Sequence, residues 1–382
     1  VTTPKASRPI DRQENETGLS SPGRRGWLHC GVAAFSEVPM KHPEESLAKE
    51  LYEGFSQRLG PGQASIAIDG LGVHWHCIVA QKDRACRINC FARPPDNTAQ
   101  YYSTYKLGEE RVATARIASL DDTIAAAVDW LDGRALLLLY EKHTFVDFEK
   151  RRLQAVQEEV FHAAPDLRRS LEVELSQRMA DIYYLHFRAR NRSSELSFYG
   201  EKAWPDARFY WDGCLLFEFE AQDCTSLAQV LQDWLYHCAP PSQMRNHFPW
   251  LMIGELADYY EAGNPVEGEF LRSWRQMERF YDDSRFPTLA TNVKALLAAM
   301  RAKGYDKTFR AGQSMWTLIL SRSRRHGLKR EQSRIQFNFL KEGMDVYCLL
   351  ESEDPQKITC PRVEYTPEIE GMLERLRKIP IR

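Results

Sequence analysis

The chain has 382 residues, a formal net charge of −2, 43% hydrophobic residues and 27% charged residues. This composition is typical of a globular protein and excludes a disordered chain, and the length predicts more than one hydrophobic core. No apolar run approaches the roughly 20 residues that a membrane-spanning helix needs. The nine cysteines follow no disulfide framework, which favours reduced thiols and a cytoplasmic location.

The first part of the chain is expected to form an N-terminal sheet-and-helix domain over residues 27–165. Residues 1–26 are polar and lack the apolar middle of a secretory signal, so we expect a flexible tail there. Leu47, Leu51 and Phe55 recur every four residues and predict a helix from about Pro43. Strand-like runs follow up to about residue 118, and two helical patterns follow those.

The second part, residues 166–382, is expected to form a C-terminal α+β domain. Asp212 and Gly213 lie between two apolar runs, which is a strong signal for a two-residue hairpin turn. A helical segment is predicted from about residue 249 to 327, followed by a hairpin that turns near Gly343. The expected fold class is α+β, with two antiparallel-sheet-plus-helix units, the second carrying a helical segment and a C-terminal hairpin.

A short internal match hints at duplication. The helix after each strand block contains the same three residues in a row, Asp129-Trp130-Leu131 in the first and Asp233-Trp234-Leu235 in the second. Internal self-similarity is the sequence signature of repeated structural units. Three residues make a short match, however, so coincidence is the alternative interpretation.

The charges are distributed unevenly along the chain. Residues 294–334 hold eleven basic and two acidic residues, a net charge of +9, whereas residues 195–283 hold sixteen acids and six bases, a net charge of −10. A basic surface of this kind attracts phosphates or an acidic partner. Two other interpretations are pairing with the acidic stretch inside the protein and pairing across a homo-oligomer. The candidate polyanion-binding residues are Arg322, Arg324, Arg325, His326, Lys329, Arg330 and Arg334.

The order of predicted elements in this region is that of a winged helix. In that interpretation a helix from Gln313 to His326 enters a nucleic-acid groove, and the hairpin near Gly343 is the wing. The link over residues 304–312 is longer than the usual turn of three or four residues between such helices.

Carboxylate chemistry is an alternative. Asp206, the following hairpin, and Glu218 with Glu220 resemble in outline the two-metal core of PD-(D/E)xK nucleases, which implies a Mg²⁺-dependent hydrolase. Glu220 stands where that family has its lysine, so the group that would orient water is missing. The other interpretation is an acidic face turned to solvent.

Two histidines complete the candidate sites. His74 and His76 share one face of a predicted strand, a spacing found in zinc and iron sites, and the candidates for a third ligand are Cys86, Cys90 and a distant carboxylate. Ordinary hydrogen bonds explain the same pattern. No nucleotide-binding or zinc-protease motif occurs, and no cofactor is predicted.

The sequence leaves open whether the chain is an enzyme. Our leading hypothesis is a non-catalytic binding protein whose segment 294–334 contacts nucleic acid or an acidic partner. The alternatives are the metal-dependent nuclease or hydrolase and a scaffold subunit of a multi-protein assembly or homo-oligomer.

Overall fold

A computed structural model describes residues 42–71, 74–93, 98–177, 182–198, 202–282, 287–325, 332–351 and 353–382. The expected tail over residues 1–26 lies outside these ranges. Within them, the strands form three separate five-stranded antiparallel sheets, and helices pack beside each sheet. The α+β class is therefore confirmed, with three sheets where two sheet-plus-helix units were expected. None of the helices in the described ranges is long and apolar enough to cross a bilayer.

The first module contains one sheet and three helices around its own cluster of buried residues. Its helix α1 is amphipathic, and its first turn carries Glu44 and Glu45, which favour the positive end of the helix dipole. In chain order the elements are α1 Pro43–Arg58, β1 Ser65–Leu71, β2 His74–Gln81, β3 Arg84–Arg93, β4 Thr98–Leu107, β5 Glu110–Ile117, α2 Leu120–Leu131 and α3 Leu136–Lys142.

The second module repeats this arrangement around a second buried cluster. Its helix α6 runs directly into a π-helical turn, Gln232–Tyr236. In chain order the elements are α4 Phe148–Ala163, α5 Pro165–Ser170, β6 Glu172–Gln177, β7 Tyr183–Ala189, β8 Arg192–Ser197, β9 Asp206–Trp211, β10 Cys214–Glu220, α6 Cys224–Leu231, α7 Pro241–His247 and α8 Leu256–Glu261.

The third module has two helices before its sheet and one helix after it, around a third buried cluster. A short 3₁₀ turn, Tyr305–Lys307, precedes the sheet. In chain order the elements are α9 Pro265–Asp282, α10 Pro287–Ala302, β11 Arg310–Ser314, β12 Thr317–Ser321, β13 Arg334–Phe339, β14 Met344–Leu349, β15 Gln356–Cys360 and α11 Pro367–Arg377.

The three modules share one chain order: helix, five strands paired in sequence, and a closing helix. Each closing helix begins with the same device. The side chains of Ser119, Asp223 and Thr366 accept a hydrogen bond from the backbone N–H three residues further on, at the start of α2, α6 and α11. Such caps satisfy N–H groups that would otherwise have no partner. The capped helix is thus a repeated feature of the fold.

An arginine fixes the far end of the closing helix in the first module. Arg84 opens β3, and its Nη1 donates to the carbonyl oxygens of Trp130 at 2.8 Å and Arg134 at 2.7 Å. Its guanidinium also lies 4.0 Å from the centre of the Trp130 ring. A cation at a helix C-terminus satisfies carbonyls and interacts favourably with the dipole. We call this arrangement the arginine lock.

The second module has the same lock in the same place. Arg192 opens β8, and its Nη1 donates to the carbonyl oxygens of Trp234 at 3.1 Å and Ala239 at 2.7 Å. Its guanidinium lies 4.1 Å from the Trp234 ring centre. In both modules the arginine follows a two-residue turn whose first residue, Lys82 or Arg190, has a positive φ.

The repeated Asp-Trp-Leu therefore lies at equivalent positions. Trp130 is residue eleven after the cap Ser119, and Trp234 is residue eleven after the cap Asp223. Both rings are buried beneath the locking arginine. The structural equivalence gives the three-residue match a physical reason, because the tryptophan supplies both a carbonyl and a ring to the lock.

The third module locks its closing helix with an arginine from the neighbouring strand. Arg322 follows the end of β12, and it donates to the carbonyl oxygens of Ile379 and Thr308, both at 2.8 Å. In the first two modules the locking arginine begins the third strand of the sheet, opposite the last residue of the second strand. In the third module the locking arginine directly follows the second strand instead.

The basic part of the third module is a hairpin rather than a helix. The prediction of a helix from Gln313 to His326 is wrong, because residues 310–314 and 317–321 form β11 and β12, with the turn at Met315 and Trp316. The helical segment predicted to residue 327 accordingly ends at Ala302, before the 3₁₀ turn. The winged-helix interpretation loses the helix that would enter the groove. The hairpin that turns near Gly343 is formed, by β13 and β14.

A buried carboxylate joins the first two modules. Asp147, 2% exposed, accepts hydrogen bonds from the backbone N–H of Thr114 at 2.8 Å, from Tyr140 at 2.7 Å and from Tyr183 at 3.2 Å. Tyr140 and Thr114 belong to the first module and Tyr183 to the second. Burial and the adjacent carboxylate raise the pKa of Tyr183 to about 12.

Candidate functional site

The basic segment 294–334 is bonded within the fold wherever the structure describes it. Nine of its eleven basic residues lie in the described ranges; six contact carboxylates and three donate to backbone carbonyls. The six cations form eight ion pairs: Lys294 with Asp282, Arg301 with Glu278 and Asp306, Lys303 with Glu370, Lys307 with Glu267, Arg324 with Asp212 and Glu269, and Arg325 with Asp212. The three carbonyl donors are Arg310, Arg322 and Arg334.

The densest part of that segment joins the second and third modules. Arg324 Nη1 lies 2.7 Å from the Asp212 carboxylate, and its Nη2 lies 3.0 Å from Glu269. Arg325 contacts the same Asp212 at 3.1 Å. Burial lowers the pKa of Arg324, but the bonds to Glu269 and Asp212 outweigh it and raise that pKa above its ordinary value. His326, Lys329 and Arg330 lie outside the described residues.

This junction explains the conformation of the hairpin tip. Asp212 and Gly213 both have positive φ, as the two-residue turn requires. A Cβ at Gly213 would lie 2.7 Å from Nη1 of Arg325, so the close approach also favours glycine. The hairpin was evident from sequence, whereas its partner lies more than a hundred residues away along the chain.

The three carboxylates of the nuclease hypothesis are held by cations. Asp206 and Glu220 are opposite each other on β9 and β10, and the Lys202 ammonium lies 2.8 Å from both. Glu218 lies 3.1 Å from Nε of Arg208. No group of three or more metal-ligating side chains occurs within the described ranges. The geometry therefore offers these carboxylates as ion-pair partners on a strand surface.

His76 is also engaged in ordinary polar contacts. Its Nδ1 lies 3.3 Å from Arg87 and its Nε2 lies 3.4 Å from the Asp69 carboxylate. Burial and the Arg87 charge lower the pKa of His76, although Asp69 acts in the opposite direction. His74 is exposed.

Exposed apolar side chains gather at one end of the third module. Met315 is 87% exposed, Trp316 38% and Leu340 44%, and these residues lie at the β11–β12 and β13–β14 turns. The Trp316 ring lies 5.8 Å from Phe280 of α9, and Phe339 lies 5.9 Å from Tyr281. Met315 has φ +53, which is uncommon for a residue other than glycine. We call the group formed by Met315, Trp316 and Leu340 the end surface.

A groove lies between the second module and helix α9. It has a volume of about 640 Å³ and is lined by the edge strand β10, by residues 252–259 and by α9. The α9 side contributes Arg272, Arg275 and Arg279, and Met252, 86% exposed, lies at the opposite side. No sequence pattern indicated this groove, because its walls come from three separate segments between Leu215 and Arg279 that only the fold brings together.

Comparison with known proteins identifies no relative. No family model matches the chain, and neither the curated proteins nor the solved structures include a match.

Proposed function

We propose that the chain is a non-catalytic binding protein in which three joined modules present the end surface to a partner protein. The observation that carries this proposal is the clustering of Met315, Trp316 and Leu340 in exposed positions on neighbouring turns. Large exposed apolar groups of this kind are typical of interaction sites, and tryptophan is frequent among the residues that dominate binding energy.

The ionisable residues support a binding role over a catalytic one. Asp206, Glu218 and Glu220 are paired with cations, and Arg322, Arg324 and Arg325 are bonded to other parts of the fold. Contact between nucleic acid and the described residues Arg322, Arg324 and Arg325 would require several of these internal bonds to break. Contact with a partner through the end surface would leave all of them in place.

The test is a double substitution, Met315→Ser with Trp316→Ser. We expect the variant to lose most of the binding partners that the unaltered chain retains when purified from its own cells, as measured by quantitative mass spectrometry. The matched control is Leu137→Ser with Leu138→Ser, which alters an exposed apolar pair on α3. Equal partner recovery by both double variants would contradict the proposal.

A nucleic-acid titration separates this proposal from the charge-based hypothesis. We expect no salt-dependent binding of short duplex DNA or single-stranded RNA near physiological salt. Binding that weakens in an Arg324→Gln, Arg325→Gln variant, with a smaller salt slope, would instead support polyanion contact by segment 294–334.

A further inference from the structure

The last strand of the first module is bridged at one position by the chain's own backbone. Ala115 of β5 forms an isolated antiparallel bridge with Val146, a residue of the segment that leads into α4. The N–H of Asp147 donates to the Thr114 carbonyl at 2.7 Å, and the Asp147 carboxylate accepts from the Thr114 N–H. One bridge residue between turn residues, followed by the Asp147 carboxylate, thus bonds this sheet edge at Thr114 and Ala115.

The corresponding last strand of the second module is open on that side. Among the described strands, β10 pairs only with β9. The Leu215 carbonyl points into the groove and accepts from Arg272 Nη1 at 2.9 Å. Because backbone groups alternate in direction along a strand and the register shifts by one residue after Leu215, the N–H and C=O of Glu218 face the same side. The Glu220 carbonyl accepts weakly from Gln222 at 3.4 Å.

The groove beside this edge carries an excess of positive charge. Arg275 is engaged by both carboxylate oxygens of Glu255, at 2.5 and 3.0 Å. Arg279 is exposed and has no hydrogen-bond or ion-pair partner in the part of the chain that the structure describes, and Arg272 contacts only a carbonyl there. The Glu218 carboxylate in the lining is already paired with Arg208. Within the described ranges, two guanidinium groups of the groove lining, those of Arg272 and Arg279, therefore have no carboxylate partner.

We propose that this groove binds an extended acidic segment of a partner protein, which forms a backbone bridge to β10 at Glu218 and places carboxylates against Arg272 and Arg279. The internal precedent is Val146 on β5, where the chain makes the same kind of bridge to itself. Strand addition gives affinity through backbone hydrogen bonds, while side-chain contacts give specificity. The groove lining includes none of Met315, Trp316 and Leu340, so this inference goes beyond the proposed function.

The spacing of the arginines matches an extended chain. Arg272 and Arg279 are two helical turns apart, which is about 10 Å along α9. Side chains on one face of an extended strand lie about 7 Å apart at i and i+2 and about 13 Å apart at i and i+4, and these two spacings bracket that distance. A short strand lying along the groove can thus reach both guanidinium groups, whereas a single carboxylate cannot.

The experiment measures binding of three fluorescein-labelled seven-residue peptides by anisotropy. The first alternates glutamate and valine, the second replaces each glutamate with lysine, and the third is the glutamate peptide with alternate backbone nitrogens methylated. We expect the glutamate peptide to bind at least about tenfold more tightly than either of the others, since they lose the charge contacts or the backbone bridge. Equal affinities, or no binding at millimolar concentration, would overturn the proposal.

Substitutions locate the site. Arg279→Gln and Glu218→Pro should each weaken the glutamate peptide about tenfold, because they remove a guanidinium or the outward N–H of the edge. Proline is tolerated on edge strands, and circular dichroism checks folding. Arg168→Gln, an exposed arginine of α5 outside the groove, should bind normally.

Unchanged affinity in Arg279→Gln, or tighter binding of a heptanucleotide than of the peptide, would refute the proposal that this groove binds an acidic segment. The Met315 and Trp316 double variant should bind the peptide normally, which separates this result from the proposed function.

Discussion

The first and second modules use the same arginine lock with different degrees of burial. Arg84 is half-buried and contacts one tryptophan ring, whereas Arg192 is 4% exposed and lies 4.1 Å from both the Trp211 and Trp234 rings. The two bonded carbonyls are four residues apart in the first module and five apart in the second, where the π-helical turn intervenes.

This difference shows what the lock requires. In both modules one guanidinium nitrogen donates to two carbonyls at the end of a helix. The second module has one more residue between these carbonyls, and the helix accommodates it by widening locally into a π turn. The deeper site also makes the cation harder to solvate, and burial lowers the pKa of Arg192 to about 10. The carbonyls and the two ring faces compensate for the lost water.

The largest effect is expected from removing the buried guanidinium. Arg192→Met should lower the free energy of unfolding by about 3 kcal/mol, because two buried carbonyls lose their donor. Arg84→Met, the matched change in the first module, should cost about 1 kcal/mol, since water reaches that site. Urea titration measures both, and hydrogen exchange should show increased opening of α6 in one variant and of α2 in the other. Equal losses of unfolding free energy in Arg192→Met and Arg84→Met would contradict the proposed difference between the two locks.

An intermediate effect is expected in the third module. Arg322→Met should lower the free energy of unfolding by about 2 kcal/mol and increase hydrogen exchange at the end of α11, because the carbonyls of Ile379 and Thr308 lose their donor. The nearby Arg325→Met is the control, since that side chain makes a partly exposed ion pair with Asp212. If both variants leave α11 equally protected, Arg322 is not a lock.

The smallest effect distinguishes the two tryptophans. Trp130 Nε1 donates to the Lys106 carbonyl at 3.2 Å, while buried Trp234 Nε1 has no partner within the described residues. Both Trp→Phe changes remove similar volume, so Trp130→Phe should cost about 1 kcal/mol more than Trp234→Phe. Thermal or urea unfolding gives the difference, and a larger loss for Trp234→Phe would mean that its N–H is satisfied.

Sequence patterns located most of the regular elements where side-chain periodicity was strong. Helix α1 begins at Pro43, where the sequence predicted its start, and the Asp212-Gly213 turn is formed. The β11–β12 hairpin was missed because Met315 and Trp316 carry no turn signal, and an isolated apolar run can suit either a helix or a strand. The end surface was missed with it.

Composition, periodicity and local turn chemistry thus determined the α+β class and many of the helices and strands, because these depend on neighbours within a few residues. Tertiary structure alone decided what the charges do. Arg324 meets Asp212 and Arg322 meets Ile379 only after distant segments pack together, and local sequence carries no record of such pairs. For the same reason, only the fold decided that the basic segment joins modules and that two arginines of α9 have no carboxylate partner among the described residues.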